Sequence, residues 1–292
     1  MDRDEASRTA VLVCQGRAVA DGRIGMGRFH DPIARSLLRD DELAGVERAR
    51  TGEAPPGWGA RTEYEMLSAT AEVIVPRTIA IDDAVRAGAD PQLVILGAGL
   101  DDRAWRMPEL AGVDVFEVDH PATLADKRER ARSLAPVSRS LRYVPVDFGR
   151  NALGPALATA GHDESLRTTW VWEGVVPYLT PAEVETTVAA LAALSAPGSR
   201  LVVNYQAPSR RAAVGRVIAK GLATLSRRPN PFAGEPRRSA WTPDSLRALL
   251  SPAGLSVTSD DDLLTLSERL GLPVRHKQSV RSGRVAVAVA AG

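Results

Sequence analysis

The chain has 292 residues, enough for one large α/β domain or two small ones. With 44% hydrophobic and 25% charged residues it can bury a sizeable core, and its net charge of +1 gives no global pull toward nucleic acid or a membrane surface. The single cysteine, Cys14, excludes an internal disulfide and a cysteine-rich metal site, so no metal is expected and a reducing, cytoplasmic setting suits the chain.

In chain order, residues 5 to 90 read as helices, with a loop from Thr51 to Gly59 around Pro55-Pro56-Gly57. From Tyr64 to Val85 apolar residues recur at helical spacing, and Pro76 is expected to break or kink that stretch. The pattern then changes to short apolar runs. Leu93–Leu96, Val113–Val118, Leu141–Val146, Thr169–Trp172 and Arg200–Tyr205 read as strands, and Pro145 puts the third at an edge or an end. Between them lie helices at Asp102–Leu110, Ala122–Leu134 and Pro181–Leu194, the last capped by Thr180. A helix after Thr242 and two strands, near Leu255–Val257 and at Arg284–Ala290, complete the chain. The alternation predicts an α/β fold: a Rossmann-like, doubly wound, seven-stranded and mostly parallel sheet. Residues 1–90 form a helical cap in the same domain, 91–292 the core, and 207–240 a lid insertion after the fifth strand. The charged start and the shortness of the apolar runs argue against a secretory leader and a membrane span.

In such sheets ligands bind at the carboxyl ends of the strands. After the first strand comes Gly97-Ala98-Gly99-Leu100-Asp101-Asp102. Two glycines allow a sharp turn and a close approach. A dinucleotide fingerprint places a third glycine where Asp102 stands, and two carboxylates facing a pyrophosphate cost about 1–4 kcal/mol. The turn therefore suits a ligand without phosphates, such as S-adenosylmethionine. Asp119 follows the second strand, where a carboxylate accepts from ribose hydroxyls; its plainer reading is a helix cap. Asp147 and Phe148 follow the third strand and Glu173 the fourth.

The stretch Leu96-Gly97-Ala98-Gly99-Leu100-Asp101-Asp102-Arg103-Ala104-Trp105-Arg106 resembles the signature of the leucine carboxyl methyltransferase family of class I S-adenosylmethionine-dependent enzymes. Supporting pieces fall in order: Arg77-Thr78 with Ile81-Asp82, Phe116 to Pro121, Val146-Asp147-Phe148, Trp172 to Val175 with Tyr178-Leu179-Thr180, and Pro197 to Leu201. The resemblance covers about residues 60 to 206, and the flanks are similar to actinobacterial, polyketide-tailoring members. It departs at Asp102, where relatives often carry threonine. The resemblance implies that Arg77 pairs with the methionine carboxylate of the cofactor and that Gly97, Ala98 and Gly99 line it. Asp119 then holds the ribose, Asp147 and Phe148 the adenine, and Glu173 the methionine amino group.

The family implies a small-molecule acceptor, anionic or aromatic, and a carboxylate acceptor first of all. A carboxylate is ionised at neutral pH and needs no general base, which agrees with the lack of a Ser/His/Asp arrangement. A phenol acceptor wants a base, for which His120 and His30 are the candidates; no catalytic residue is assigned. Tyr205 and Trp241 read equally as an aromatic acceptor pocket and as core. The arginines from Arg210 to Arg238 read first as the solvated face of a lid helix, and second as a recruiter of anionic substrate. The competing classes are a hydroxyl methyltransferase, an NAD-dependent oxidoreductase and a non-catalytic binding protein. No contact with nucleic acid or membrane is expected, and oligomeric state is not legible.

Overall fold

Five short segments lie side by side as parallel strands: β1 (Gln92–Leu96), β2 (Asp114–Asp119), β3 (Ser140–Pro145), β4 (Thr168–Trp172) and β5 (Arg200–Gln206). They belong to a computed structural model that describes residues 7–147, 152–208, 238–275 and 277–292. Two further strands, β6 (Leu255–Asp262) and β7 (Gly283–Ala290), complete a seven-stranded sheet in the order β3-β2-β1-β4-β5-β7-β6. Only β7 runs against its neighbours, pairing antiparallel with both β5 and β6. The fold is thus the mostly parallel, Rossmann-like sheet that the alternation predicts. Strand order reverses between β1 and β4, and the crevice there is where such sheets take ligands. Pro145 closes the edge strand β3, where its missing N–H costs the sheet no ladder bond.

Alternate strand residues divide between two cores. One face, with Leu93, Ile95, Val115, Val171 and Val202, packs under α1 (Arg8–Ala20), α2 (Asp40–Arg50) and α3 (Trp58–Gly88). The other, with Val94, Leu96, Phe116, Trp170, Trp172 and Tyr205, packs against helices later in the chain. Burial on both faces explains why β1 reads as a continuous apolar run.

Several elements differ from expectation. Pro76 does not break its helix: α3 is a single 31-residue element that runs through it. A proline inside a helix costs about 3 kcal/mol. Ile74, Val75, Ile79 and Ile81 around it are at most 3% exposed, and full burial of each such side chain contributes about 1.5–3 kcal/mol. The helix expected over Asp102–Leu110 is only α4 (Arg103–Arg106), because Pro108 opens a 3-10 turn. Next comes α5 (Pro121–Arg130), shorter than expected. Sequence periodicity left α6 (Leu153–Thr159) unmarked, while α7 (Pro181–Ala193) and α8 (Pro243–Leu250) follow their Thr180 and Thr242 caps. The short helices α9 (Leu263–Arg269) and α10 (Lys277–Ser282) add to the elements that the sequence pattern does not predict. No described helix is long and apolar enough to cross a membrane. Most of residues 207–240, expected as a lid insertion, with Arg210, Arg211 and Arg216, lies outside the described residues.

Candidate functional site

Strand register brings the sequence candidates to one edge. Leu96 pairs with Val118 on one side and Trp172 on the other, so Gly97, Asp119 and Glu173 emerge as neighbours. Gly97 and Gly99 have φ of +65° and +48°, a region costly to residues with a Cβ. The space is also closed: a Cβ on Gly97 would stand 2.2 Å from Val175 Cγ2, and one on Gly99 2.9 Å from Ala10 Cβ. Ala98 between them is buried. The N–H groups of Gly97 and Ala98 both donate to the Val118 carbonyl, at 2.8 and 3.1 Å.

Asp119 locks this turn from the side. Its Oδ2 accepts from Gly99 N–H at 2.7 Å and its Oδ1 from His120 N–H at 2.6 Å. Each carboxylate oxygen keeps a further lone pair for a ligand hydroxyl. Burial raises the Asp119 pKa, and the two backbone bonds oppose it. The helix-cap alternative for Asp119 passes to His120, whose Nδ1 accepts from Ala122 N–H at 3.3 Å at the start of α5. Asp147 stands two residues beyond β3, and Val146 ties that segment to Asp119 through a 2.9 Å backbone bond. Phe148 lies outside the described residues.

Arg77, near the middle of α3, reaches the end of β4, where its Nε donates to Glu173 Oε1 at 2.7 Å. Arg103 Nη2 donates to the other Glu173 oxygen at 3.0 Å. Burial pushes the Glu173 carboxyl up, but Arg77 and Arg103 overcome this and hold it at about 2. The two side chains assigned by resemblance to opposite ends of an amino-acid group are therefore in direct contact with each other.

The paired aspartates of the turn require a correction. They do not present free carboxylates to a ligand. Asp102 is 1% exposed; its Oδ1 accepts from Arg106 Nε at 2.7 Å and its Oδ2 from Arg17 Nη2 at 3.2 Å. Asp101 pairs with Arg103. Repulsion of a pyrophosphate by these two groups is therefore weaker than the sequence implies. Instead they belong to a buried ionic network that sequence reasoning missed. Arg17 of α1 also binds Asp31 at 2.8 Å and the Leu100 carbonyl at 2.6 Å. Asp82 of α3 accepts from Arg103 Nε at 2.8 Å and from Arg106 Nη1 at 2.6 Å. Burial pushes Asp82 up, and Arg106 and Arg103 more than offset it, holding the carboxyl at about 2. Asp102 is pushed up to about 6 by burial, with Arg17 opposing and Asp31 adding to the rise.

The available signal was the i,i+4 spacing of Asp102 and Arg106, which puts both on one helix face. Among the described residues the network holds five carboxylates (Asp31, Asp82, Asp101, Asp102, Glu173) and four arginines (Arg17, Arg77, Arg103, Arg106). A ligand with one net positive charge complements it. S-adenosylmethionine, with an ammonium, a sulfonium and a carboxylate, has that charge, and the donor set fits it; a dinucleotide pyrophosphate has the wrong sign.

The candidate bases have other partners. The His30 ring is exposed and sits 3.0 Å from Asp21. Tyr205 is fully buried, with its hydroxyl donating to Asp260 at 2.8 Å, which favours its core reading. Trp241 Nε1 donates to Ser239 Oγ at 3.2 Å.

The sequence profile of the family described as leucine carboxyl methyltransferase matches residues 10–192. A "Putative S-adenosyl-L-methionine-dependent methyltransferase" of Mycolicibacterium gilvum is 36% identical over 201 residues, 68% of this chain and 65% of that protein. One of the same description from Mycobacterium avium is 38% identical, over 66% of this chain and 62% of the relative. The chain thus spans slightly under two thirds of the length of these relatives. Among solved structures, a "putative methyltransferase" of Thermobifida fusca superposes with a TM-score of 0.58 at 15% identity, covering 100% of this chain and 97% of the other; it shares the fold.

Proposed function

The chain belongs to the leucine carboxyl methyltransferase family, and from that premise we propose that it is an S-adenosylmethionine-dependent O-methyltransferase acting on a carboxylate of a small acceptor, one of secondary metabolism. The observation that carries the cofactor part of this reading is the Arg77–Glu173 pair at 2.7 Å beside the glycine turn. The remaining N–H groups of Arg77 suit a carboxylate and the remaining lone pairs of Glu173 an ammonium, the two charges of an amino-acid group, and the excess of carboxylates matches the sulfonium. Arg77 takes the ligand carboxylate, Glu173 the amino group, Asp119 the ribose hydroxyls, and Asp147 with Phe148 the adenine. Gly97, Ala98 and Gly99 line the ligand through the backbone of the turn, which Val175 and Ala10 pack against where a Cβ would stand.

When bound, S-adenosylmethionine supplies an electrophilic methyl group on sulfur. The protein then has to hold the acceptor oxygen in line with it, about 3–3.5 Å from the carbon, and exclude water. A carboxylate acceptor arrives ionised, so no protein base has to take a proton. This suits a site edge whose nearby histidine, His120, caps a helix. The experiment is a cofactor-consumption screen against aromatic and aliphatic carboxylic acids and matched phenols, with products identified by mass spectrometry. Methyl esters are the expected products; aryl methyl ethers alone overturn the carboxylate assignment, and no consumption with any acceptor class counts against the activity.

A further inference from the structure

Arg103 makes no contact in the chemistry above, yet every nitrogen of its guanidinium is committed. It is 2% exposed. Nε donates to Asp82 on α3 at 2.8 Å, Nη1 to Asp101 on the glycine turn, and Nη2 to Glu173 beyond β4 at 3.0 Å. Its own backbone N–H donates to Asp101 Oδ1 at 2.9 Å. One side chain thus joins the long cap helix, the turn and the end of β4.

The consequence concerns Glu173. Its two oxygens are held by two arginines, Oε1 by Arg77 and Oε2 by Arg103. If Arg77 turns to a ligand carboxylate, Glu173 loses that restraint. A glutamate held at one oxygen by a buried, planar, three-way-fixed guanidinium keeps its orientation; one held by neither arginine has three free torsions to lose on binding.

We propose that Arg103 is a positioning residue, which fixes the Glu173 carboxylate against Asp82 and Asp101 so that its remaining lone pairs receive the amino group of the bound cofactor. The proposal rests on the S-adenosylmethionine reading above. Arg103 acts on the amino-acid end of the ligand alone, and only through Glu173.

The test uses two nucleosides and calorimetric titration of the full chain. S-adenosylhomocysteine and 5′-methylthioadenosine share adenine and ribose, but only the first has the amino-acid end. Arg103→Gln is expected to weaken S-adenosylhomocysteine about tenfold or more and methylthioadenosine by less than about twofold. Combining it with Glu173→Gln is expected to add less than about twofold to the loss seen with Glu173→Gln alone, because both substitutions act through one carboxylate. Arg103→Lys keeps the buried charge without the three-way fork. It is expected to give the same split between ligands, and decides the matter if Arg103→Gln does not fold. Equal losses for the two ligands in Arg103→Lys show a general structural role and overturn the proposal, as does unchanged affinity for S-adenosylhomocysteine. A wild-type chain that binds neither nucleoside overturns the cofactor reading as well.

Discussion

Replacing Lys127 with methionine keeps most of the side-chain stem and removes its ammonium. That ammonium lies 2.6 Å from Glu117 Oε2, with both side chains fully buried between β2 and α5, and 5.5 Å from the centroid of the Trp105 ring. Removing one member of a buried pair costs about 3–5 kcal/mol, because the other charge is left without partner or water. Glu117 limits the loss by taking up a proton. Burial already pushes its carboxyl up to about 7, with Lys127 opposing the rise, so without Lys127 it goes higher. A folded pKa above the unfolded value means that folding favours the protonated form. The penalty is therefore full at high pH, shrinks as pH falls through the folded pKa, and vanishes below the unfolded value of 4.5. Denaturant unfolding with linear extrapolation measures it. Lys127→Met is expected to lose about 3–5 kcal/mol at pH ~8 and less than half of that at pH ~5. Adding Glu117→Gln removes the stranded charge and is expected to restore most of the loss. A loss below about 1 kcal/mol at pH ~8, or a double variant no more stable than the single one, refutes this reasoning.

Gly97→Ala combines a left-handed backbone with a Cβ driven into Val175, and is expected to cost about 2–5 kcal/mol in denaturant unfolding; stability within about 0.5 kcal/mol of the parent means the turn is built otherwise. Asp119→Ala removes the acceptor of two backbone N–H groups and the proposed ribose ligand. Calorimetry is expected to show S-adenosylhomocysteine binding weakened about a hundredfold or more, and parental affinity contradicts the assignment. The pH dependence has a definite sign. Asp82 and Glu173 are held at about 2, below ordinary values of 3.8 and 4.5, so their stabilisation is present above those ordinary values and is lost as pH falls through about 2. Asp102, raised to about 6, runs the other way, losing its contribution as pH rises from 3.8 through 6. Thermal unfolding is thus expected to show a falling Tm on the acid limb, less steep in Asp82→Asn than in the parent; identical slopes show that Asp82 is not held low.

Strand positions and the ligand edge were legible because burial on both sheet faces writes a continuous apolar run, and because Gly97, Asp119 and Glu173 each follow such a run by at most one residue. Helix starts were legible where a threonine cap precedes proline, as at Thr180 and Thr242. Helix α3 continues through Pro76 because tertiary burial outweighs a local cost that the sequence shows plainly. The ionic network was hidden for a different reason. Arg17 and Asp102 are 85 residues apart, as one bond between them records, and no periodicity connects them. A pair such as Asp101-Asp102 reads as a patch of negative charge until its arginine partners are known. The α5 cap went to His120 instead of Asp119, since Asp119 turns its oxygens to the glycine turn and to His120 N–H.

The central claim is that the edge formed by Gly97, Asp119, Arg77 and Glu173 holds S-adenosylmethionine. Calorimetric titration of the wild-type chain with S-adenosylmethionine, and in parallel with NAD, tests it most directly. Saturable binding of S-adenosylmethionine at one site per chain, with no heat from NAD, is the predicted result. Binding of NAD without S-adenosylmethionine contradicts the claim.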